Sequence, residues 1–370
     1  IPTGSDYSET ALLDAQQRLV NSGYFDSAFL MLDPDEENPD HATVIAQLRE
    51  ARFQKMVIGV GFSTDTGPRV SVDHTHNDMW PLGWRALNRL AIGTDSQLFA
   101  SQWTAMPGAS GWAWYTGGQL ERSEYGDYRA RSVSLTGGRI KSAERIDRRY
   151  YVQYYSSTTE GPDAPGGSSS IIANYSWLGR YFDDRTNPSS GYGLAAEAGV
   201  GSTLSPRQDP FMRFNARALR LWPFGQPNDA GKRNRLALRA EFGAIYAQSG
   251  VNIPVRLLFL TGGDTTVRGY GYQSIGSRLD DGSIYGARYM AVGSAEWQRP
   301  LRLFGDAASF EHATFVDVGT ASDSLSEGKL HTGVGTGLRW ASPVGPLQVD
   351  VAYGLQDRQT RVHLRMGFQF

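Results

Sequence analysis

The chain has 370 residues, with 40% hydrophobic content, 43 glycines, 12% aromatic residues and a formal net charge of -2. That length could hold two or three soluble domains, but the composition fits a glycine-rich sheet protein better. The near balance of charge, without a basic stripe carrying interleaved stacking aromatics, argues against nucleic acid as a partner. The absence of cysteine excludes disulfide and thiol chemistry and fits an oxidising compartment.

The chain opens at Ile1 with neither a charged leader nor an apolar signal core, so it reads as a trimmed secreted precursor or a sequence that begins internally, the second being favoured. Residues 8–22 predict an amphipathic helix: Ser8 can cap it, Leu12, Ala15 and Leu19 share a face, and Gly23 is placed to end it. Two strands, Phe29 to Leu32 and Thr43 to Leu48, flank the acidic, proline-containing turn Asp33 to Asp40. This helix-strand-strand unit occupies residues 1–50.

No run approaches the roughly 18 uninterrupted apolar residues of a spanning helix, so a membrane protein with this sequence must be a barrel. The mean hydropathy of -0.40 is compatible with one, because only alternate residues of each strand meet lipid. From residue 52 onward the pattern predicts sixteen strands, at roughly 20 residues per strand plus connection. Met56, Ile58, Val60 and Phe62 alternate with Lys55, Val57, Gly59 and Gly61. Farther along, Leu236, Leu238 and Phe242 alternate with Arg235, Arg239 and Glu241. A soluble sandwich alternates in the same way. Tryptophans 103, 112, 114, 177, 222, 297 and 340 mostly fall near predicted strand ends, which favours a membrane boundary. Connections also alternate in length, with long polar links expected over 156–170 and 251–286 and a tight one over 342–345.

The segment Gly262-Gly263-Asp264-Thr265-Thr266-Val267-Arg268-Gly269-Tyr270 places an arginine in a glycine-rich loop between two amphipathic strands. Glu296, in Gly293-Ser294-Ala295-Glu296-Trp297, and Asp317, in Phe315-Val316-Asp317-Val318-Gly319, sit in period-2 strands and can supply carboxylates for it. These motifs resemble those of the outer-membrane assembly-factor superfamily, in which periplasmic POTRA domains precede a C-terminal barrel with a V-R-G-Y/F loop. The stretches 59–70 (Gly59 to Val70) and 342–347 (Ser342 to Leu347) look most like the TamA branch, the outer-membrane subunit of the translocation and assembly module.

The expected fold class is therefore all-β: a sixteen-stranded antiparallel transmembrane β-barrel over residues 51–370, preceded by a partial α+β POTRA domain over 1–50. By resemblance, the loop between the eleventh and twelfth barrel strands folds back into the lumen. Val267, Arg268, Gly269 and Tyr270 would then lock against strands carrying Glu296, Asp317 and Gly319. The first and last strands would form a lateral seam that admits clients, weakened by Gly59, Gly61 and Gly367 near the terminal Phe368 and Phe370. Small inward residues that merely fit a crowded lumen are the competing account of those glycines. The resemblance implies an insertase in the Gram-negative outer membrane. Its implied partners are outer-membrane lipid, a TamB-like periplasm-spanning protein and nascent barrel or autotransporter clients. A two-partner secretion transporter, the barrel end of a patatin-type lipase fusion and a passive porin are the alternatives.

Other motifs point to no cofactor, metal or catalytic residue. His74 and His76 share a strand face, but no third metal ligand can be named. The Asp33 to Asp40 turn lacks the glycine and terminal glutamate of a calcium loop. Gly269-Tyr270-Gly271 has no strand-turn-helix around it, and a G-x-S-x-G nucleophile elbow is absent.

Overall fold

The computed structural model describes residues 3–34, 41–161, 164–184, 188–279, 281–342 and 345–366. Helix α1 (Glu9–Asn21) begins where the Ser8 hydroxyl accepts a hydrogen bond from the Ala11 N–H at 3.3 Å, and Gly23, at φ +76°, turns the chain out of it. Strands β1 (Phe25–Pro34) and β2 (Ala42–Glu50) pair antiparallel, and α1 covers β1 through buried Leu12 and Ala28. The tip of the acidic turn, residues 35–40, lies outside the described residues. This unit abuts the barrel at Tyr24, whose hydroxyl accepts from the Arg85 N–H at 3.2 Å.

The next strands are β3 (Gln54–Ser63), β4 (Gly67–Met79), β5 (Trp84–Gly93), β6 (Ser96–Thr104), β7 (Ala113–Tyr125) and β8 (Tyr128–Ser142). They continue as β9 (Ile146–Glu160), β10 (Ser168–Phe182), β11 (Gly191–Ser205), β12 (Pro210–Phe224) and β13 (Asn234–Ala247). After a long loop containing the short β14 (Ser277–Arg278) and β15 (Ile284–Tyr285) come β16 (Tyr289–Leu303), β17 (Asp306–Ser322), β18 (His331–Ser342), β19 (Gly345–Gly354) and β20 (Gln359–Met366). Excluding β14 and β15, β3 to β20 close a sixteen-stranded barrel in which each strand pairs with its sequence neighbours and β20 returns to β3. The link expected over 156–170 is shorter than its polarity indicates. Strands β9 and β10 pair through serines such as Ser157 and Ser168, leaving only 161–167 between them. Those serines are inside the ladder because a strand facing a polar lumen tolerates them.

The outer face is apolar: Ile58, Val60, Leu135, Val152, Val200 and Phe214 are all exposed. Ten-residue β3 rises about 25 Å along a barrel axis at roughly 40° tilt, about the height of an outer-membrane hydrocarbon layer. The inner face carries the charges, including Arg213, Arg239, Glu296 and Asp317.

Strand direction sorts the aromatics. Each tryptophan falls on the half of the barrel nearer the α1 unit: Trp80 and Trp84 at the turn from β4 to β5, Trp103 late in β6, and Trp112 and Trp114 at the start of β7. The others, Trp177, Trp222, Trp297 and Trp340, are on strands running toward the same rim. An indole prefers the headgroup boundary. In bilayers of brominated lipids, tryptophan emission should be quenched most by bromines close to the headgroup. Strongest quenching by bromines at the acyl-chain ends would contradict a single aromatic girdle.

Candidate functional site

The connection 248–288, between the eleventh and twelfth barrel strands, folds back into the lumen and docks on the inner wall made by β16 to β20. Its apex, 262–270, is narrow and rich in glycine, which lets backbone approach backbone. Gly269 adopts φ +93°, and a Cβ there would lie 2.8 Å from the Gly354 nitrogen.

Arg268 occupies the centre of the contact. Its Nε donates to Asp317 Oδ2 at 2.7 Å, its Nη2 donates to Asp317 Oδ1 at 3.0 Å, and its backbone N–H donates to Asp317 Oδ2 at 3.1 Å. Nη1 donates to Glu296 Oε2 at 2.6 Å and to Asp350 Oδ2 at 3.3 Å. The guanidinium carbon is 3.3 Å from the centroid of the Phe315 ring. The bidentate geometry fixes the plane of the guanidinium, and the ring closes one face of it to water.

A second arginine completes the cluster. Arg339 on β18 donates to Glu296 Oε2 at 2.9 Å and to both oxygens of Asp350. Three carboxylates thus face two guanidinium groups, and Arg365 lies within Coulombic reach of Asp350. Ser294 donates to Asp317 at 2.6 Å and Gln298 to Glu296 at 2.7 Å, so the remaining lone pairs are also engaged. These side chains are almost fully buried; Asp317 has 0% exposure.

The wall is paved with glycine where the loop lies on it. At Gly333 a Cβ would collide with the Arg268 carbonyl oxygen, at Gly354 it would lie 2.7 Å from the Gly269 oxygen, and at Gly319 2.5 Å from the Val267 side chain. Val267 and Tyr270 are buried, and the Tyr270 hydroxyl accepts from the Gln356 N–H at 3.2 Å.

The apex also touches both flanks of the closure between β3 and β20. The Gly269 N–H donates to His363 Nε2 at 3.1 Å, so the proton on the neutral ring sits at Nδ1, which is 3.2 Å from Asp65 Oδ1. Asp65 accepts from the Asp264 N–H at 2.5 Å, and the Ser63 hydroxyl donates to Asp264 at 3.0 Å. Burial pushes the Asp264 carboxyl above its ordinary range; Arg365 opposes this and neighbouring Asp65 adds to it. The closure itself consists of Arg365 opposite Ser63 and Met366 opposite Phe62, extended by a Thr64 N–H donating to the Leu364 oxygen at 3.1 Å. Strands β16 and β17, by contrast, pair along nearly their whole lengths. Gly59 and Gly61 lie on β3, where a Cβ would press on Ser71 and Arg69 respectively, each at 2.7 Å. Gly367, Phe368 and Phe370 lie outside the described residues.

The ascending arm of the loop grips the opposite wall. Arg256 pairs with Glu121 at 2.9 Å, and Arg213 Nε donates to the Leu257 oxygen at 3.0 Å while its Nη1 donates to Glu197 at 2.9 Å. A polar cavity of about 630 Å³ remains beside it, lined by residues that include Arg149, Tyr151 and Glu197.

Sequence reasoning picked out Arg268, Glu296 and Asp317 but not Arg339, Asp350, Asp65 or His363. A faint signal existed for two of these: Arg339 is the lone formally charged residue of β18, and Asp350 that of β19. Neither His74 nor His76 joins a metal-binding group; among the described residues there is no cluster of three or more potential His, Cys, Asp or Glu ligands.

A closed sixteen-stranded barrel with an arginine-bearing loop held inside it defines a class of large, internally plugged β-barrels. The profile of the Omp85 superfamily domain matches residues 108–370, and the chain belongs to that superfamily. It is 26% identical to outer membrane protein assembly factor BamA of Neorickettsia risticii (strain Illinois), over 94% of this chain and 48% of that protein. The chain thus spans about half the length of this curated relative. Its fold is similar to BamA from Haemophilus ducreyi lacking POTRA domains 1-3, with a TM-score of 0.77 at 16% identity, covering 99% of this chain and 79% of the other. It is also similar to CdiB from Acinetobacter baumannii, with a TM-score of 0.60 at 12% identity and coverage of 92% and 65%.

Replacing Arg268 with alanine strips buried Asp317 of its guanidinium and leaves Glu296 and Asp350 to Arg339, a loss of about 3–5 kcal/mol in docking of the loop. Limited proteolysis should then cleave within 248–288 while the barrel still migrates as a heat-modifiable band. Gly333→Ala should give the same pattern through steric exclusion alone. Asp264→Asn should behave oppositely: a carboxyl raised by burial costs stability once ionised, so neutral asparagine, which still accepts from Ser63, should leave cleavage at neutral pH no faster than in the parent.

Proposed function

We propose that the chain is the barrel-bearing part of an outer-membrane assembly factor in a Gram-negative cell, and that it helps β-barrel or autotransporter clients insert at the junction of β3 and β20. The observation that carries this reading is the position of the loop apex. Through Asp65 and His363 it holds both flanks of a closure in which, among the described residues, only the upper end of β3 meets β20. The loop is therefore placed to stabilise the closed junction while its own position is fixed by Arg268. Superfamily membership and the name of the curated relative support the same role.

In this reading the barrel performs no covalent chemistry. The free energy of insertion comes from burying the client's apolar strand faces in lipid and satisfying its backbone hydrogen bonds, and the parted junction lowers the barrier. The unit of α1, β1 and β2 is taken as the end of a barrel-proximal POTRA domain in the periplasm. A TamA-like placement, with a TamB-like periplasm-spanning partner, follows from the resemblance of residues 59–70 and 342–347. A two-partner secretion transporter is the second reading. It is favoured by the fold likeness to CdiB proteins and by the polar cavity beside the loop, through which a passenger would pass once the loop withdrew.

The chain contains no cysteine, so a disulfide can be placed at will. Oxidised Phe62→Cys/Met366→Cys should assemble a client barrel in liposomes at no more than the spontaneous rate, with reductant restoring the parent rate. A control bridge between Ala295→Cys and Val316→Cys, register partners on β16 and β17, should have no effect. Unimpaired assembly by the oxidised Phe62–Met366 bridge would refute lateral insertion and favour transport through the lumen.

A further inference from the structure

The outer face of β7 to β13 carries a feature that client insertion at the β3 and β20 junction does not use. Its cross-strand register places residues in rows. One row runs Trp114, Arg139, Tyr150, Tyr175, Ala198 and Phe214; the row toward the α1 rim runs Lys141, Arg148, Trp177 and Ala196. The row on the other side runs Gly137, Val152, Ala173, Val200, Met212 and Tyr246. Small residues at Gly137, Ala173, Ala198 and Ala244 lie between bulky ones and leave an outward-facing groove of about 850 Å³.

The rim end of this groove is basic and aromatic. The Arg139 guanidinium carbon is 5.3 Å from the Trp114 ring centroid and 5.8 Å from that of Trp112. Tyr150 packs 5.4 Å from Trp112 and 4.7 Å from Tyr175, centroid to centroid. Lys141 and Arg148 are direct cross-strand partners. Among the described residues, no ion pair engages Arg139, Lys141 or Arg148. Arg129 and Arg131, on the same strand at the far rim, pair with Glu124 and Glu160 at 3.5 and 3.0 Å. Three uncompensated cations on neighbouring strands repel one another unless an anion joins them.

We infer that this face binds one anionic diacyl phospholipid of the leaflet on the α1 side, its phosphate held by Arg139, Lys141 and Arg148 and an acyl chain lying in the groove. The inference rests on the reading of the barrel as membrane-embedded. Charge complementarity selects the headgroup, since phosphate matches both the fork of an arginine and the point charge of a lysine. The belt of Trp112, Trp114 and Tyr150 sets its depth at the polar boundary. Gly137 leaves the floor of the groove open to an acyl chain, since a Cβ there would meet nothing within 4 Å.

The test is lipid retention, measured by native mass spectrometry on barrels released from phosphatidylcholine nanodiscs doped with a minor fraction of phosphatidylglycerol. The parent should retain one phosphatidylglycerol in preference to phosphatidylcholine. Arg139→Gln, Lys141→Gln and Arg148→Gln should each reduce that preference about fivefold, whereas Arg129→Gln/Arg131→Gln should leave it unchanged. Gly137→Leu provides a second arm that keeps all three cations: it should lose the retained lipid while the barrel keeps its heat-modifiable migration. Equal retention of the two lipids by the parent, an equal loss from the Arg129 and Arg131 pair, or retention undiminished by Gly137→Leu would overturn the site. Displacement by free glycerol phosphate would overturn a lipid in favour of a simple phosphate site. A chain that forms no heat-modifiable barrel in the bilayer would overturn the membrane reading itself, and this site with it.

Discussion

The contact between Arg268 and the carboxylates of Asp317, Glu296 and Asp350 is the interaction on which the interior arrangement depends. Three acids on β16, β17 and β19, turned inward and almost fully buried, are not stable together without cations. The wall itself contributes Arg339, and the loop contributes the other guanidinium. The four-strand wall from β16 to β19 therefore reaches electrostatic complementarity only with the loop seated. The glycines at 319, 333 and 354 make that seat possible, because a methyl group at any of them would occupy space now filled by the loop. Charge selects the loop position and the missing side chains allow it.

The same loop organises the rest of the lumen. Its ascending arm engages β7 and β12 through Arg256 and Arg213, while its apex reaches β20 and the turn after β3. It braces opposite walls and ends beside the closure of the barrel. A displacement of the apex would be felt at Asp65 and His363, so the stability of the closure and the seating of Arg268 are linked through hydrogen bonds a few residues apart. The outer surface divides in a corresponding way: the closure lies on one side, and the groove with its basic, aromatic rim lies among strands well removed from it.

Much of the architecture is legible from period-2 alternation. The first strand, Met56 to Phe62, turns its apolar set outward, and Leu238 and Phe242 do the same on β13. Arg268, Glu296 and Asp317 are recognisable because a guanidinium in a glycine-rich loop between strands calls for carboxylates, and Glu296 and Asp317 sit in period-2 strands that can supply them. Arg339 and Asp350 are each the lone formally charged residue of their strand but stand far from the loop in sequence. His363 and Asp65 carry no mark, since a histidine or aspartate near a strand end is ordinary. The polar stretch 156–170 misleads because serines facing a wet lumen look like a loop.

The sequence by itself determined the number of strands, the alternation that gives strands such as the first an apolar face, and the presence of an arginine that needs acidic partners. These are local properties, set by alternation, by strand length and by the high cost of leaving a guanidinium alone in a desolvated interior. Only the tertiary structure decided which acids Arg268 meets, that Arg339 shares them, that the loop also contacts both flanks of the closure, and that three cations gather beside an apolar groove. Those outcomes depend on register between strands distant in the chain, which barrel closure fixes and no short segment encodes.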